Sequence, residues 1–257
     1  EWNSTFEKYQ QFPEYQKKNL GMSLDGFKMI FWFEYSHRLL GRLIGAVFLI
    51  PFLVFLLLRR IDRALVPRLV AMFVLGGLQG LLGWYMVQSG LIHNPHVSQY
   101  RLTAHLAAAV LIYCFMIWTA LDLWFGQPRH GSTATTNRPR SFALLVTLFT
   151  VVTLLSGGFV AGLKAGFSYN TFPKMGDSWL PPGIMALEPF WRNLFENAAT
   201  VQFNHRVLAI TTLILVIALW VTTKKSDLVS RARLGLHLLV IAALLQVTLG
   251  ISTLLLR

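Results

Sequence analysis

Residues 33–42 read FEYSHRLLGR and open an apolar run that continues to Leu58, where Arg59 and Arg60 end it. A carboxylate, an imidazole and two guanidinium groups at the head of such a run are costly in lipid, at about 3 kcal/mol each near mid-bilayer, and residues of this kind mark sites. The stretch also recurs. EYSHRLLGRL at 34–43 is echoed by QFNHRVLAIT at 202–211, an offset of 168, and LQGLLG at 78–83 by LQVTLG at 245–250, an offset of 167. Two echoes in the same order at nearly one offset indicate two homologous halves. An even number of crossings separates matching helices, so the halves run parallel rather than inverted.

Composition sets the class around this motif. Of 257 residues, 54% are hydrophobic and 13% charged, with a mean hydropathy of +0.53. Six stretches are long enough to cross a bilayer as helices, about 29–58, 67–90, 102–125, 141–163, 200–222 and 234–256. The fold class expected is therefore an all-α integral membrane protein. The net charge of +12 follows topology rather than nucleic acid. Arg59, Arg60, Arg63 and Arg68 fill one short loop, Arg129, Arg138 and Arg140 the next but one, and Lys224, Lys225, Arg231 and Arg233 the last, which together are 11 of the 23 basic residues. Such loops lie on the cytoplasmic side or its equivalent. Cys114 is the lone cysteine, which excludes disulfides and thiolate metal sites, and is expected as a small core residue.

The repeat also predicts helices outside this stretch of chain. Span 102–125 should recur near position 272, and span 141–163 should have a counterpart before Glu1. A pseudo-symmetric parent of eight helices in two four-helix units is expected, of which six fall in residues 1–257. Residues 1–125 would form the amino-terminal unit without its first helix, and 126–257 the carboxy-terminal unit without its last.

With the basic loops inside, His37, His105 and His205 all lie within the first turns from the outer face. Small residues follow each at helical spacing: Gly41 and Gly45 after His37, Ala108 and Ala109 after His105, Ala209 after His205. An imidazole heading a flat recess fits a haem held between helices by an axial ligand, whereas close helix packing accounts for the small residues alone. Zinc or a di-iron centre fits less well, because Glu34-x-x-His37 is answered in the second half by Gln202. Arg38, Arg206 and Arg101 sit beside these histidines and are natural partners for haem propionates. His93, His96 and His130 fall in polar loops, and His237 aligns with Leu69 or Val70 and is expected to be structural or exposed. The halves differ at one position of chemical consequence: Glu34, on the face of His37, can exchange a proton, and Gln202 cannot. An ion pair with Arg38 is the structural role open to Glu34. The division suggests a reactive unit and an electron-transfer unit.

The motifs KYQQFPEYQKKN, EYSHRLLGR, GLLGWYMVQSGL, VSQYRLTAHL, SGGFVAGLKAGFSYNTFPKMGDSW, NLFENAATVQFNHR and QVTLGISTLL together resemble the haem A synthases of the mitochondrial and proteobacterial type, nearly end to end. The resemblance implies eight helices in two four-helix halves and oxidation of the C8 methyl of haem O to the formyl of haem A, by hydroxylations that end in dehydration of a geminal diol. It implies that His37 and His105 flank the substrate haem O, that Glu34 is the essential carboxylate, and that His205 ligates a haem b whose second ligand lies on the helix expected past Arg257. It further implies a bacterial or mitochondrial inner membrane. The lipid bilayer, haem O synthase and an electron-transfer partner would be its neighbours, a homo-oligomer is compatible, and nucleic acid is not a partner. Two axial histidines leave the iron no open position for oxygen, which favours oxidation of the porphyrin periphery.

Two competing functions remain at this stage. A di-haem b-type membrane cytochrome would explain the histidines but not the difference between Glu34 and Gln202, and a haem exporter would bind its cargo transiently. The long outer segment from Ala165 to Thr200 carries EPFWRNLFEN at 188–197. That stretch reads as a short helix with Phe190, Trp191, Leu194 and Phe195 on one side, expected to lie in the membrane interface as a lid or an aromatic anchor.

Overall fold

The computed structural model describes residues 1–91, 97–126, 137–226 and 228–256. Its helices are α1 (Trp2–Gln10), α2 (Pro13–Lys18), α3 (Leu24–Leu57), α4 (Val66–Leu91), α5 (Gln99–Phe125), α6 (Asn137–Gly162), α7 (Asn193–Glu196), α8 (Ala198–Thr223) and α9 (Ser230–Leu255). Two 3₁₀ turns, Ala165–Phe167 and Phe190–Arg192, precede α7, and no strand occurs among the described residues. The six long helices are those expected, and each is long and apolar enough to span a bilayer. The protein is an all-α integral membrane protein.

Helix ends follow capping rather than hydropathy. The apolar run of the first span starts near residue 29, yet α3 begins at Leu24 because Ser23 caps it: Ser23 Oγ accepts from the Gly26 N–H at 3.2 Å. Asp25 sits in the first turn, where the helix dipole favours a carboxylate, and Lys28 donates to it at 3.1 Å. Pro51 lies inside α3, a placement that membrane helices tolerate.

The chain divides into two compact units, Glu1–Arg129 and His130–Arg257. In the first, α1 lays its aromatic side chains on the opening turns of α3. Trp2 meets Phe31 at a ring separation of 5.1 Å, Phe6 meets Phe27 at 5.2 Å and Tyr9 meets Phe27 at 4.9 Å. Phe27 is buried by this contact, and Asn19 Nδ2 donates to the Tyr9 hydroxyl at 2.7 Å. Helices α4 and α5 pair antiparallel, tied near one end by Gln79 Nε2 donating to the His105 carbonyl at 2.8 Å and at the other by Arg68 to Asp122 at 3.0 Å. Cys114 is exposed on α5 rather than in a core as expected. The helices here meet along narrow seams, and an apolar outward face needs no protein cover in lipid, which is as apolar as Leu.

The second unit is better packed. Val146 of α6 and Val216 and Leu219 of α8 form its core, flanked by Leu236 and Val240 of α9. The α6–α8 seam also carries a hydroxyl pair, Thr153 Oγ1 to Thr212 Oγ1 at 2.7 Å. Hydroxyls elsewhere in both units return to the carbonyl four residues back, as Thr119 does to Phe115, Thr150 to Val146 and Thr223 to Leu219, which satisfies them without a neighbouring helix.

The segment leading to α8 is organised by Asn193, which is fully buried. Its Nδ2 donates to the Leu187 and Phe190 carbonyls, and its Oδ1 accepts from the Leu187 N–H and from Asn197 Nδ2. Asn197 in turn caps α8, its Oδ1 accepting from the Thr200 N–H at 3.2 Å. The expected short helix is thus a 3₁₀ turn running into the single turn of α7. Phe190, Trp191 and Leu194 are exposed, and Phe195 meets Phe159 of α6 at 5.3 Å.

Membrane helix contacts of the threonine kind contribute about 0.6 to 1.7 kcal/mol each. Thr212→Val should lower unfolding stability in mixed micelles by that amount. Combining it with Thr153→Val should add little more, which a double-mutant cycle measures.

Candidate functional site

In the first unit, α3 carries Glu34, His37 and Arg38 on consecutive turns of its outer end. Arg38 Nη1 lies 3.5 Å from Glu34 Oε2, and 52% of each side chain is exposed. That separation is long for a charge-assisted hydrogen bond and the setting is open, so the pair contributes only a few tenths of a kcal/mol, about what exposed i,i+4 pairs give. The structural role open to Glu34 is present but weak.

His105 on α5 is half-buried. Across the α4–α5 seam the Cε1 edge of the ring abuts Gly83. A Cβ added there would stand 2.9 Å from His105 Cε1, closer than real Cβ contacts come. One turn along α4, Gln79 holds the His105 carbonyl, while Gln79 Oε1 and His105 Nδ1 are buried without a hydrogen-bond partner among the described residues. Arg101, one turn before His105, lies over the Tyr85 ring at 5.1 Å, a cation–π placement at the outer end of α5.

Helix α1 reaches the Glu34 region of α3. Burial pushes the Tyr9 phenol above its ordinary value, and against the hydrogen bond from Asn19 the charges of Glu14 and Glu34 add to the rise. The N-terminal helix therefore ends within electrostatic reach of Glu34.

In the second unit, His205 on α8 lies against α6. A Cβ on Gly157 would stand 3.3 Å from His205 Cε1. Ser156 Oγ donates to the Thr153 carbonyl at 2.7 Å and lies 2.7 Å from His205 Nδ1. A hydroxyl has one proton, so with that proton on Thr153 it can only accept from the imidazole. Nδ1 then carries the ring proton and Nε2 keeps its lone pair, the state required of a metal-ligating histidine.

Gln202 is buried, donating from Nε2 to the Tyr169 carbonyl at 2.9 Å, with Oε1 left unpartnered among the described residues. Arg206 is held by the same segment: Nη1 donates to the Thr171 and Lys174 carbonyls at 2.8 and 3.2 Å and Nη2 to that of Tyr169 at 3.0 Å, while its Nε is buried and unpartnered among the described residues.

The small residues expected beside each histidine are not the ones its ring meets. A Cβ on Gly41 or Gly45 would meet nothing within 4 Å among the described residues. The glycines against the rings are Gly83 and Gly157, supplied by neighbouring helices. Helical spacing on the histidines' own helices does not reach them, nor Ser156, Gln79 and Tyr9. Gln79 and Gly83 stand in the repeated LQGLLG, and Ser156–Gly157 in the quoted SGGFVAG, so the signal was present as motif without an assigned partner. His237 is exposed, Nδ1 lying 2.8 Å from the Arg233 carbonyl and the ring against Trp220. His93, His96 and His130 lie outside the described residues.

Comparison with known proteins places this geometry. The model of a family described as cytochrome oxidase assembly protein matches residues 1–257. The chain is 52% identical over 258 residues to "Heme A synthase" of Nitrosospira multiformis, covering 100% of this chain and 72% of that protein. It is 46% identical to "Heme A synthase COX15" of Arabidopsis thaliana, over 99% of this chain and 58% of the relative. With "Heme A synthase COX15" of Homo sapiens the identity is 43%, over 99% and 64%. No solved structure matches the chain.

The Ser156 contact makes a prediction independent of any ligand. Nitrogen NMR of labelled histidines should find His205 protonated at Nδ1 alone in the unliganded protein. Ser156→Ala should convert that signal to a mixture of tautomers, and an unchanged signal would remove the hydroxyl from the account.

Proposed function

The chain belongs to the cytochrome oxidase assembly protein family, and on that premise we propose that it makes haem A, oxidising the C8 methyl of haem O to a formyl group for use in terminal oxidases. The observation that carries the reading is the difference between the units: Glu34, three residues before His37, is half-exposed and only loosely paired with Arg38. The corresponding amide in the second unit, Gln202, is buried and tied to a loop carbonyl.

The residues suit haem on structural grounds. Gly83 and Gly157 let the Cε1 edge of an imidazole approach the adjacent helix closely, and the Ser156 bond leaves Nε2 of His205 free to ligate. Haem b in the second unit, when bound, supplies a one-electron redox centre. His205 would hold its iron on one side, and the buried, unpartnered Nε–H of Arg206 is the donor assigned to a propionate. In the first unit, His37 and His105 would flank haem O, with Arg38 and Arg101 toward its propionates.

The chemistry follows from what Glu34 can do. Methyl-to-formyl oxidation removes two electrons at each of two hydroxylations, and water then leaves the geminal diol. Because Arg38 holds only one carboxylate oxygen of Glu34, and loosely, the carboxylate stays open to take a proton from the methyl or from attacking water, a general-base role. Its charge would also stabilise positive charge developing on the carbon beside the porphyrin ring. The reacting methyl shares a pyrrole ring with a propionate, and Glu34 stands on the outer side of His37, the propionate side in this arrangement.

The inner membrane of a bacterium or mitochondrion is the proposed site, with the basic loops inward and an electron-transfer partner accepting the electrons. Haem O synthase is the natural source of substrate. The aromatic stretch Phe190–Phe195 is read as an interfacial cover on the second unit. A di-haem cytochrome that leaves haem unmodified gives no role to the Glu34–Gln202 difference and is not favoured by the relatives' names.

Extraction and chromatography of haems from cells that supply haem O, lack their own haem A activity and express the full-length protein should yield haem A. Glu34→Gln should lower it by a hundred-fold or more, the usual range for a lost general base, with haem binding intact. Haem A at the wild-type level in that variant would remove Glu34 from the chemistry.

A further inference from the structure

At the end of the second unit away from His205, α8 and α9 enclose a small cavity of about 110 Å³, room for several water-sized groups. The indole of Trp220 lines it from α8. Lys224 Nζ stands 3.7 Å from the centroid of that indole, and the His237 ring meets the indole edge-on at 6.0 Å. A carbonyl can only accept, so His237 Nδ1 donates to the Arg233 carbonyl at 2.8 Å and the imidazole is fixed to the backbone of α9. Lys224, which ends α8, and Arg233, near the start of α9, both line the cavity. Neither belongs to an ion pair among the described residues, and the first turn of α9 carries no acidic residue. From 224 to 233 the sequence sets Lys224, Lys225, Arg231 and Arg233 against Asp227 alone, which lies outside the described residues. A cationic excess remains whichever of them Asp227 meets.

Membrane topology accounts for basic residues anywhere in this loop. It does not account for two cations on different helices converging on one aromatic-walled cavity, where they repel each other unless an anion lies between them. Helix stability does not account for it either, since an arginine near the start of α9 stands at the positive end of the helix dipole. The flanks of the cavity are apolar: Val221 on α8 and Leu234 and Leu238 on α9 are exposed along the spans that run from it. A ligand with an anionic head and apolar chains matches both features, whereas a free phosphate or an acidic protein segment makes no use of the flanks. We propose that the α8–α9 cavity binds the phosphodiester of an anionic phospholipid in the cytoplasmic-side leaflet. Lys224 and Arg233 pair with the phosphate, Trp220 seats the glycerol region at the interface, and the acyl chains follow Val221, Leu234 and Leu238 into the bilayer. The site is independent of the haem chemistry and lies wholly within the second unit.

Native mass spectrometry counts the lipids retained by the full-length protein, purified in neutral detergent, delipidated and titrated with dioleoyl phosphatidylglycerol or dioleoyl phosphatidylcholine. Wild type should retain one phosphatidylglycerol, bound roughly ten-fold or more tighter than phosphatidylcholine. Lys224→Gln and Arg233→Gln should each weaken phosphatidylglycerol roughly five-fold, the effect of one cation near an anionic lipid, and leave phosphatidylcholine unchanged. Lys224→Arg keeps the charge and should keep the binding. Lys225→Gln removes the same charge from a side chain outside the cavity and should bind as wild type does. Equal losses in Lys224→Gln and Lys225→Gln would trace the effect to the overall charge of the loop and overturn the site, as would a wild type without preference. Displacement of the lipid by millimolar inorganic phosphate or by polyglutamate, at constant ionic strength, would assign the cavity to a free anion or to an acidic protein segment instead.

Discussion

The contact of an imidazole with a bare stretch of neighbouring helix is what the rest of this structure depends on. At Gly83 and Gly157 the missing Cβ lets His105 and His205 lie against the backbone of α4 and α6, and any side chain there would force the ring or the helix to move. Helices in lipid gain no hydrophobic drive from meeting each other, so close packing and a few polar links decide which faces join. The contact that brings α4 to α5, or α6 to α8, is therefore also one that holds the histidine in place. Fold and site are fixed by the same atoms.

Around that shared device the two units are finished differently. In the second, the loop before α8 reaches back over the motif: Tyr169, Thr171 and Lys174 offer carbonyls to Arg206, Tyr169 also takes the Gln202 amide, and Ser156 fixes the His205 tautomer. Such fixity suits the electron-passing role proposed for this unit, since little would have to rearrange when its charge changes. In the first, Glu34 and Arg38 remain open and loosely paired, with α1 docked nearby through Tyr9 and its aromatic neighbours. A carboxylate that has to exchange a proton needs that access. On the proposed reading, one inherited motif has a reactive and a static version, and the difference rests on Glu34 against Gln202 and on what each unit's loops contribute.

The polar atoms left unsatisfied are informative for the same reason. Gln79 Oε1, His105 Nδ1, Gln202 Oε1 and the Arg206 Nε are all buried without partners among the described residues, and each lies beside one of the histidines or on its motif. Buried polar groups in folded proteins are nearly always paired, so these exceptions, with Thr103 Oγ1 two residues before His105, agree with the proposal that each unit holds a ligand beside its histidine.

Much of this was legible in the sequence. Six apolar stretches of bilayer length dictate six spanning helices, because lipid leaves a backbone no other way to satisfy its hydrogen bonds than helix or closed barrel. The repeat of HR at one offset exposed the two-fold plan, and the exchange of Glu34 for Gln202 marked the chemical asymmetry without any coordinates. What the sequence could not specify was which small residue meets which histidine. Helical spacing pointed to Gly41 and Gly45 on the same helix as His37, where the structure leaves open space, while the effective glycines came from the next helix along. Spacing reports only neighbours on one helix, whereas a recess beside a ring is made by the register and rotation of a second helix against it. Those two parameters depend on packing across the whole seam, and so only the tertiary structure decided that Gly83, Gly157, Ser156 and Gln79 are the residues that meet the histidines.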